Sequence, residues 1–464
     1  MVVFRAGSSY QVHTRPGCPG LSEAAVLEKP EADRGQRPRL RACILARIGR
    51  CWRLVRESLH VLVLVENLSV PFDRRVWHEC ATLRAAGYNV SVICPQGESH
   101  DLEPLVELGG VHIHRYPAPP RAHSLAGYVR EYPYMLAWTQ RLAWRIWRER
   151  GFDVIHACNP PDLFFLIGRF FRRWGVGFVY DQHDANPEIL TAKRHGEARD
   201  GLPERTVRWA ERSTYRLADV VIVPNDSYRA LAMTRGGKAA QDVFVVRSAP
   251  RAQEFSCVSD SGFDRRGHRF LVGYLGVIGK QDGVDLLVQA VGMLVAEKYD
   301  ILLYLAGDGE SYGEVQALVE RLGLSDNVMM PGFQIANEFA PALFHADVCV
   351  APDPSSTFND ISTMNKIVEY MAMGRACVAF PLPENRITGA DAVTYSRDAT
   401  WRSLGRAIGH LLDNEGERTR LGRQARERFE QALSWERSAP ELRRAYQRLS
   451  EKAAERLAFP AAGR

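Results

Sequence analysis

The sequence lacks any long apolar run. Its most apolar stretches, residues 163–167 and 270–278, fall far short of the ~20 residues that cross a bilayer. No apolar run follows the first basic residues after Met1, as a secretory signal peptide requires. We therefore expect neither a secreted protein nor an integral membrane protein.

Paired cysteines and an excess of one charge are also missing. The nine cysteines are scattered without a Cys-x-x-Cys pair, which predicts reduced thiols of a cytoplasmic protein and no zinc site. The 60 Lys and Arg against 55 Asp and Glu leave a net charge of +5, too little to indicate a nucleic-acid partner. What is present, 464 residues that are 46% hydrophobic and 25% charged, is typical of a globular protein of about two or three domains.

Residues 1–57 differ from the rest of the chain. Eight arginines fall between positions 34 and 56 with no acid among them, after a stretch rich in Gly and Pro. Two interpretations are open. The segment is a disordered leader or an over-extended start of the reading frame, or it is a basic segment that lies on anionic lipid.

A regular alternation of strands and helices begins at Leu59. Residues 60–65 form a continuous apolar run, typical of a strand in a parallel sheet buried on both faces. Further strands are predicted at 89–94, 111–114, 153–157, 177–181, 220–224, 270–275, 301–306, 327–330, 348–351 and 376–380. The pattern predicts an α/β fold of two doubly wound Rossmann-like domains, residues 58–250 and 268–430, that face a central cleft. A helical tail follows, with a break near 433–435.

Ligands of such sheets bind beyond the carboxyl ends of the strands, so the loops there are candidate sites. In the second domain, Gly276 and Lys280 follow the first strand, and Gly307-Asp308-Gly309 follows the next. Glycine lets the backbone approach a phosphate closely, and lysine offers a point charge. The spacing fits neither a dinucleotide fingerprint nor a P-loop, so a structural turn and a diphosphate site both stay open.

The densest polar segment is residues 352–374, where a loop leads into a helix. Asp360 or Ser362 is the expected N-cap. Apolar residues at helical spacing form the buried stripe, namely Met364, Ile367, Val368, Met371 and Ala372. Lys366 and Glu369 then share another face. They form either a surface ion pair or a carboxylate that binds sugar hydroxyls beside a phosphate at the helix N-terminus.

In the first domain, His183 lies just beyond a predicted strand, where it either contacts a polar ligand or has a structural role. Residues 156–162 end the preceding strand and predict a second polar lip of the same cleft. No Ser/His/Asp order, His-x-x-x-His pair or Asp-rich metal cluster stands out.

As a set, these motifs resemble glycosyltransferase family 4, which has the GT-B fold. The resemblance covers about residues 59–455 and is carried by segments 365–374, 274–276, 283–285, 307–309 and 180–183, with Trp435. It implies a retaining hexosyltransferase that uses a nucleotide-diphosphate-sugar donor, with no cofactor and no metal ion. The second domain would hold the donor, and the helix in 431–458 would cross back to the first, acceptor-side domain.

The resemblance also assigns residues. Glu369 matches the glutamate that holds the donor ribose, His183 matches a histidine that contacts the transferred sugar, and loop 66–72 corresponds to the loop over the diphosphate. The donor-binding candidates are Asn67, Gly276, Lys280, Gly307, Asp308, Gly309, Ser362, Thr363, Asn365, Lys366 and Ile367.

Two departures concern acidic and glycine positions. The family commonly has a first glutamate eight residues before the second, but Ile361 stands there, so its neighbour Asp360 becomes the candidate for the sugar contact. Residues 67–71 replace a glycine-rich first loop. That variant resembles enzymes that build bacterial cell-surface polysaccharide.

A third departure concerns the cations of the donor site. The usual arginine and lysine are replaced by Val277 and Asp282. Lys280 and Lys366 are left to supply positive charge for the diphosphate. Besides a transferase, a nucleotide-sugar epimerase of the same fold and a non-catalytic sugar-nucleotide-binding protein are therefore open alternatives.

Residues 121–150 interleave arginine with aromatic residues. The arginines are Arg121, Arg130, Arg141, Arg145, Arg148 and Arg150, and the rings are Tyr128, Tyr132, Tyr134, Trp138, Trp144 and Trp147. This composition predicts a surface that binds anionic lipid at the cytoplasmic face of the membrane, extended by residues 170–174. The acceptor is then a lipid-linked glycan. The alternative is an ordinary core-packed helix with solvated arginines.

Overall fold

The computed structural model of the chain describes residues 58–97, 101–118, 125–193, 201–255 and 262–458. The predicted basic segment 1–57 and the predicted membrane residue Arg121 lie outside the described residues. So does the side chain of Tyr128.

Eight strands form the first sheet: β1 (His60–Leu64), β2 (Asn89–Pro95), β3 (Leu105–Leu108), β4 (Val111–Tyr116), β5 (Val154–Cys158), β6 (Gly177–Asp181), β7 (Val220–Val223) and β8 (Val243–Val245). Their order is β3-β4-β2-β1-β5-β6-β7-β8, and all neighbours are parallel except β3 and β4. The helices of this first lobe are α1 (Arg74–Ala85), α2 (Leu125–Glu149), α3 (Phe165–Arg172), α4 (Asn186–Lys193), α5 (Leu202–Leu217) and α6 (Asp226–Thr234).

Strand β1 shows why an unbroken apolar run predicts a buried parallel strand. Val61 and Val63 belong to one hydrophobic cluster, whereas Leu62 and Leu64 belong to another. Successive side chains of a strand point to opposite faces, so both faces of the sheet are covered.

Six parallel strands form the second sheet: β9 (Phe270–Leu275), β10 (Ile301–Ala306), β11 (Val328–Gly332), β12 (Val348–Ala351), β13 (Cys377–Ala379) and β14 (Thr394–Tyr395). Their order is β11-β10-β9-β12-β13-β14. The helices of this second lobe are α7 (Val284–Ala296), α8 (Tyr312–Arg321), α9 (Ala336–Phe344), α10 (Asn365–Ala372), α11 (Pro383–Gly389), α12 (Trp401–Asp413) and α13 (Glu415–Arg428). The prediction of two doubly wound, mainly parallel sheets is confirmed.

The position of the site follows from the strand order. In the second sheet, β9 lies between β10 and β12, and in the first sheet β1 lies between β2 and β5. The direction of winding reverses at such a central strand, and the loops beyond its carboxyl end leave a crevice for ligands.

The helical tail joins the second lobe to the first. A π-helical turn at Phe429–Leu433 and Ser434 make the predicted break, and α14 (Trp435–Ala458) follows. Its apolar residues, among them Leu442 and Tyr446, belong to the hydrophobic cluster of the first lobe. The tail thus packs against the first sheet after the chain has completed the second.

Trp435 begins this return helix and is 3% exposed. Its indole N–H donates to Thr82 Oγ1 on α1 at 3.0 Å, and its backbone N–H donates to the carbonyl oxygen of Pro250 at 3.0 Å. Trp435 therefore holds α14 to the first lobe through its side chain and to the chain between the lobes through its backbone.

We expect Trp435→Ala to lower the free energy of unfolding by about 3–5 kcal/mol, because it leaves a cavity where a buried ring packed. Trp209→Ala is the matched control, since Trp209 is 53% exposed and its loss should cost far less. Urea titration followed by circular dichroism measures both. Equal destabilisation by the two variants would contradict the anchoring role of Trp435.

Candidate functional site

Two consecutive arginines begin helix α1, and each contacts a carboxylate of a different lobe. The Asp73 side chain caps the helix by accepting from the N–H of Val76 at 3.1 Å, which fixes the first turn. The Arg74 guanidinium donates to Glu369 on α10 of the second lobe. Arg75 instead donates to Asp181 at the end of β6, at 2.8 Å.

Glu369 is the carboxylate that the sequence predicts to hold the donor ribose. Its side chain is 5% exposed and pairs with Arg74, which is 40% exposed. The predicted caps are wrong: α10 begins at Asn365 with Met364 as an N-cap that makes no side-chain bond. The Ser362 hydroxyl donates backwards to the carbonyl of Phe358 at 2.7 Å.

Lys366 does not form the predicted surface ion pair with Glu369. Both residues are buried, and the Lys366 ammonium lies 2.6 Å from Asp353 Oδ1 and 3.8 Å from Asp282 Oδ1. Burial raises the pKa of Asp282 to about 6, against the pull of Lys366. The positive charge of Lys366 is therefore already paired with acidic side chains of the second lobe.

The candidate glycines pack two strand-end loops against each other. A Cβ on Gly307 would lie 1.8 Å from the carbonyl oxygen of Gly276, and one on Gly309 would lie 2.5 Å from that of Ile278. Such distances are impossible for real side chains, so these positions need glycine for loop packing. Asp308 and Lys280 project from the same loops and are exposed.

The polar loop before α10 docks onto the first lobe. Asn225, the N-cap of α6, donates through Nδ2 to the carbonyl of Ile361 at 2.9 Å and to Thr363 Oγ1 at 3.0 Å. Ser362 Oγ lies 3.3 Å from the Tyr228 hydroxyl. Ser362 and Thr363 are thus engaged by the first lobe.

The remaining candidates differ in exposure. Asn67 is half-buried in the loop after β1, and Asn365 is exposed at the start of α10. Ile367 is fully buried in the hydrophobic core, so its side chain cannot touch a donor. Asp360 is half-buried and accepts from Ser355 Oγ at 3.0 Å, while its Oδ1 is buried without a hydrogen-bond partner in the structure.

His183 stands beyond β6, where the sequence places it. Its backbone N–H donates to Asn159 Oδ1 at 2.6 Å, and its Nε2 lies 2.5 Å from Asp181 Oδ2. Burial lowers the pKa of His183, but the Asp181 carboxylate more than offsets this and the pKa is raised. The predicted second lip is present at Asn159, which also donates to the carbonyl of Asp184 at 2.7 Å.

His156 lies beneath this lip rather than on it and is fully buried. Its Nε2 is 3.4 Å from both Glu79 Oε2 and Asp181 Oδ2, and its Nδ1 is 2.8 Å from the Tyr446 hydroxyl on α14. Burial alone lowers the pKa of His156, and the nearby Asp181 and Glu79 carboxylates raise it to about 9.

This cluster also contains metal-ligand types. Glu79, His156, Cys158 and Asp181 each bring one such atom within 4.8 Å of the others. Arg75, however, lies 3.3 Å from Glu79 and 2.8 Å from Asp181. Two carboxylates thus face a guanidinium and a readily protonated imidazole, so the charges balance without an ion. We assign the cluster as a network that supports His183.

Sequence reasoning missed Arg74, Arg75 and Glu79. Arg75 and Glu79 stand at i and i+4 on the buried face of α1, and a charged pair on an apolar face is a signal that could have been found. Arg74 has no such local signal, since its partner is 295 residues away.

Two family models match the chain. A "Glycosyl transferase 4-like domain" matches residues 73–248, and a "Glycosyl transferases group 1" domain matches residues 269–414. The chain belongs to the glycosyltransferases. The first match begins after β1 and includes β2 to β8, and the second includes all six strands of the second sheet.

Relatives and solved structures agree with this. An alpha-D-kanosaminyltransferase of Streptomyces kanamyceticus is 25% identical over 336 residues, which cover 68% of this chain and 83% of the relative. Sucrose-phosphate synthase from Thermosynechococcus elongatus superimposes with a TM-score of 0.68 at 18% identity, covering 85% of this chain and 100% of that one. HepE of Anabaena in complex with UDP-glucose superimposes with a TM-score of 0.60 at 15% identity, covering 86% of this chain and 100% of that one. The glycosyltransferase therefore has the expected GT-B fold.

The raised pKa of His156 predicts a pH-dependent stability. A histidine whose pKa is higher in the folded state stabilises the fold fully below about pH 6.5, and that contribution is lost as the pH rises to about 9. We expect the difference in free energy of unfolding between wild type and His156→Gln to shrink over this range, by up to about 3 kcal/mol.

His114→Gln is the control, because burial lowers the pKa of folded His114 to about 4. Its difference from wild type should therefore change only below about pH 7, where the unfolded histidine gains a proton, and in the opposite direction. Urea titrations at several pH values between 6 and 9.5 measure the differences. A constant difference for His156→Gln would contradict the network.

Proposed function

We propose that the enzyme transfers a sugar from a nucleotide-diphosphate-sugar, with retention of configuration, to a lipid-linked glycan precursor of cell-surface polysaccharide. The observation that carries the donor assignment is Glu369, a buried carboxylate at the cleft whose partner comes from the opposite lobe. Ribose hydroxyls are suitable donors to such an acceptor-only group. The complex of HepE with UDP-glucose adds support for this class of donor.

The first lobe would act on the sugar. The Asp181 carboxylate fixes the His183 ring and raises its pKa, so that a protonated imidazole can donate to a sugar hydroxyl. Asp360, with one buried oxygen free of hydrogen bonds, is the proposed second polar contact to the sugar. We also propose that no metal ion is needed, since basic side chains can carry the diphosphate charge.

A variant of the second lobe should chiefly weaken donor binding, whereas a variant of the first lobe should chiefly lower kcat. Glu369→Gln should weaken donor binding by about 10- to 100-fold, the effect of losing charge-assisted hydrogen bonds. His183→Ala should lower kcat more than it raises KM, because its contact strengthens toward the transition state.

Steady-state transfer measured with varied donor, with and without EDTA, tests these roles. Unchanged kinetics of both variants would remove Glu369 and His183 from the site. Loss of activity in EDTA that metal restores would contradict the metal-free proposal. Epimerisation of the nucleotide-sugar without an acceptor would favour the epimerase, and donor binding without turnover would favour the non-catalytic binding protein.

We propose further that α2 and α3 carry the membrane-binding face. Arg141, Arg145 and Arg148 stand at i, i+4 and i+7 on α2, are exposed, and line a surface cavity of ≈ 560 Å³. Trp144 packs 6.0 Å from Trp174, between ring centroids, while Arg173 lies over the Trp174 ring at 5.3 Å. An exposed cationic row on an aromatic layer is suited to anionic headgroups.

The aromatic rings of α2 pack on the hydrophobic core, and most of them are also partly exposed at this face. Trp147 is buried in the hydrophobic core, and Tyr132, Tyr134, Trp138 and Trp144 pack against it while half-exposed. Within the described residues, no helix is long and apolar enough to cross a membrane. The proposed binding is therefore at the surface.

Replacing Arg141, Arg145 and Arg148 together by glutamine should weaken binding to vesicles with anionic lipid by about 100-fold at low salt, at ~1 kcal/mol per basic residue. The matched control replaces Arg402, Arg406 and Arg423, three exposed arginines of the second lobe, in the same way. Cosedimentation with anionic and neutral vesicles at low and high salt measures binding. Equal binding by both triple variants would exclude this face.

A further inference from the structure

The proposed donor brings a diphosphate, and besides the exposed Lys280 the second lobe offers it little free positive charge. Lys366 is held by Asp353 at 2.6 Å and stacks its ammonium 5.0 Å from the centre of the Tyr274 ring. Positions 277 and 282, where the resembled family has arginine and lysine, are valine and aspartate. A buried diphosphate nevertheless needs cationic partners, because isolated charges are costly away from water.

The two arginines that begin α1 differ in how firmly they are held. Arg75 is 7% exposed and is fixed by Asp181, Glu79 and the carbonyl oxygen of Val246 at 2.7 Å. Arg74 is 40% exposed and reaches across to Glu369. Arg75 is therefore part of the fold, whereas Arg74 can exchange its partner at modest cost.

The partner of Arg74 is also the group that the donor must engage. The Arg74 contact uses Glu369 Oε1. A ribose whose two hydroxyls donate to both carboxylate oxygens would compete with the guanidinium for that atom. A ligand that only bears ribose would take the Glu369 anion from the guanidinium, which would keep only the weaker attraction of Glu254 and Asp73. A ligand that also bears a diphosphate replaces that anion.

We propose that Arg74 binds the diphosphate of the nucleotide-sugar, and that the Arg74–Glu369 ion pair is exchanged when the donor enters. Ribose hydroxyls donate to Glu369, and phosphate oxygens accept from the guanidinium, for which a planar fork of N–H groups is well suited. This role rests on the proposed donor class. It assigns to the first lobe the charge that Val277 and Asp282 do not supply.

The exchange predicts opposite effects on two ligands. Arg74→Gln should weaken binding of a nucleoside diphosphate by about 10- to 100-fold, because charge-assisted hydrogen bonds to phosphate are lost. The same variant should bind the corresponding nucleoside as well as wild type or better, since Glu369 is no longer occupied. Glu369→Gln should weaken binding of both ligands. Arg74→Lys should recover part of the diphosphate affinity.

Isothermal titration with UDP, GDP, ADP and TDP and with their nucleosides measures these affinities for wild type and variants. Arg406→Gln, which removes an exposed charge of α12, is the matched control and should leave all affinities unchanged. If Arg74→Gln changes diphosphate and nucleoside binding by the same factor, Arg74 is only a clasp between the lobes and the inference is wrong.

The experiment distinguishes a failure of the proposed function from a failure of the role assigned to Arg74. Wild type that binds a nucleoside diphosphate and transfers sugar, with Arg74→Gln binding the diphosphate equally well, overturns only the role of Arg74. Wild type that binds none of the four nucleoside diphosphates overturns the donor class and this inference with it.

Discussion

The pairing of buried carboxylates with the two arginines of α1 is the constraint on which the rest of the site depends. Consecutive residues of a helix point about 100° apart, so Arg74 and Arg75 leave the same turn in different directions. One reaches Glu369 in the second lobe and the other Asp181 in the first. The capped start of α1 thereby sets the relation between the proposed ribose contact and His183, which Asp181 holds.

The buried carboxylate of Asp181 contacts three cationic side chains, namely Arg75, His156 and His183. Burial alone would raise its pKa, but Arg75 and His183 outweigh burial and hold the pKa well below its usual range. His156 also contacts this carboxylate and joins it to Tyr446 of the return helix. The return helix α14 therefore contacts the Asp181 cluster of the first lobe through a buried hydrogen bond between His156 and Tyr446.

The sequence predicts most of the fold because its strands are buried on both faces and read as apolar runs. Residues 60–65, 270–275 and 301–306 occur as strands with ends shifted by at most one residue. Strand β3 was missed since it lies at the edge, largely exposed, and has no such run. Glu369 and His183 could be named in advance, but the partners Arg74 and Tyr446 could not, because they come from distant parts of the chain. The predicted caps of α10, Asp360 and Ser362, were wrong because Ser362 donates to the carbonyl of Phe358 and Asp360 accepts from Ser355 instead.

The aspartate at position 282, where the resembled family has lysine, is explained by its electrostatic attraction to Lys366. The Lys366 ammonium lies 3.8 Å from Asp282, 2.6 Å from Asp353 after β12, and 3.4 Å from the Tyr274 hydroxyl of β9. A lysine at position 282 would replace this attraction by a second positive charge near the buried Lys366 ammonium, which is unfavourable. With aspartate there, Lys366 instead ties together the loops at the switch point of the second sheet. A lysine used in this way is a structural cation, and the charge that meets the donor must then come from a residue with a free face toward the cleft. Among the residues described, the exposed Lys280 and the partly exposed Arg74 meet that requirement. Arg74 differs from Lys280 in that its ion pair is with Glu369, the carboxylate that the proposed ribose contact would engage.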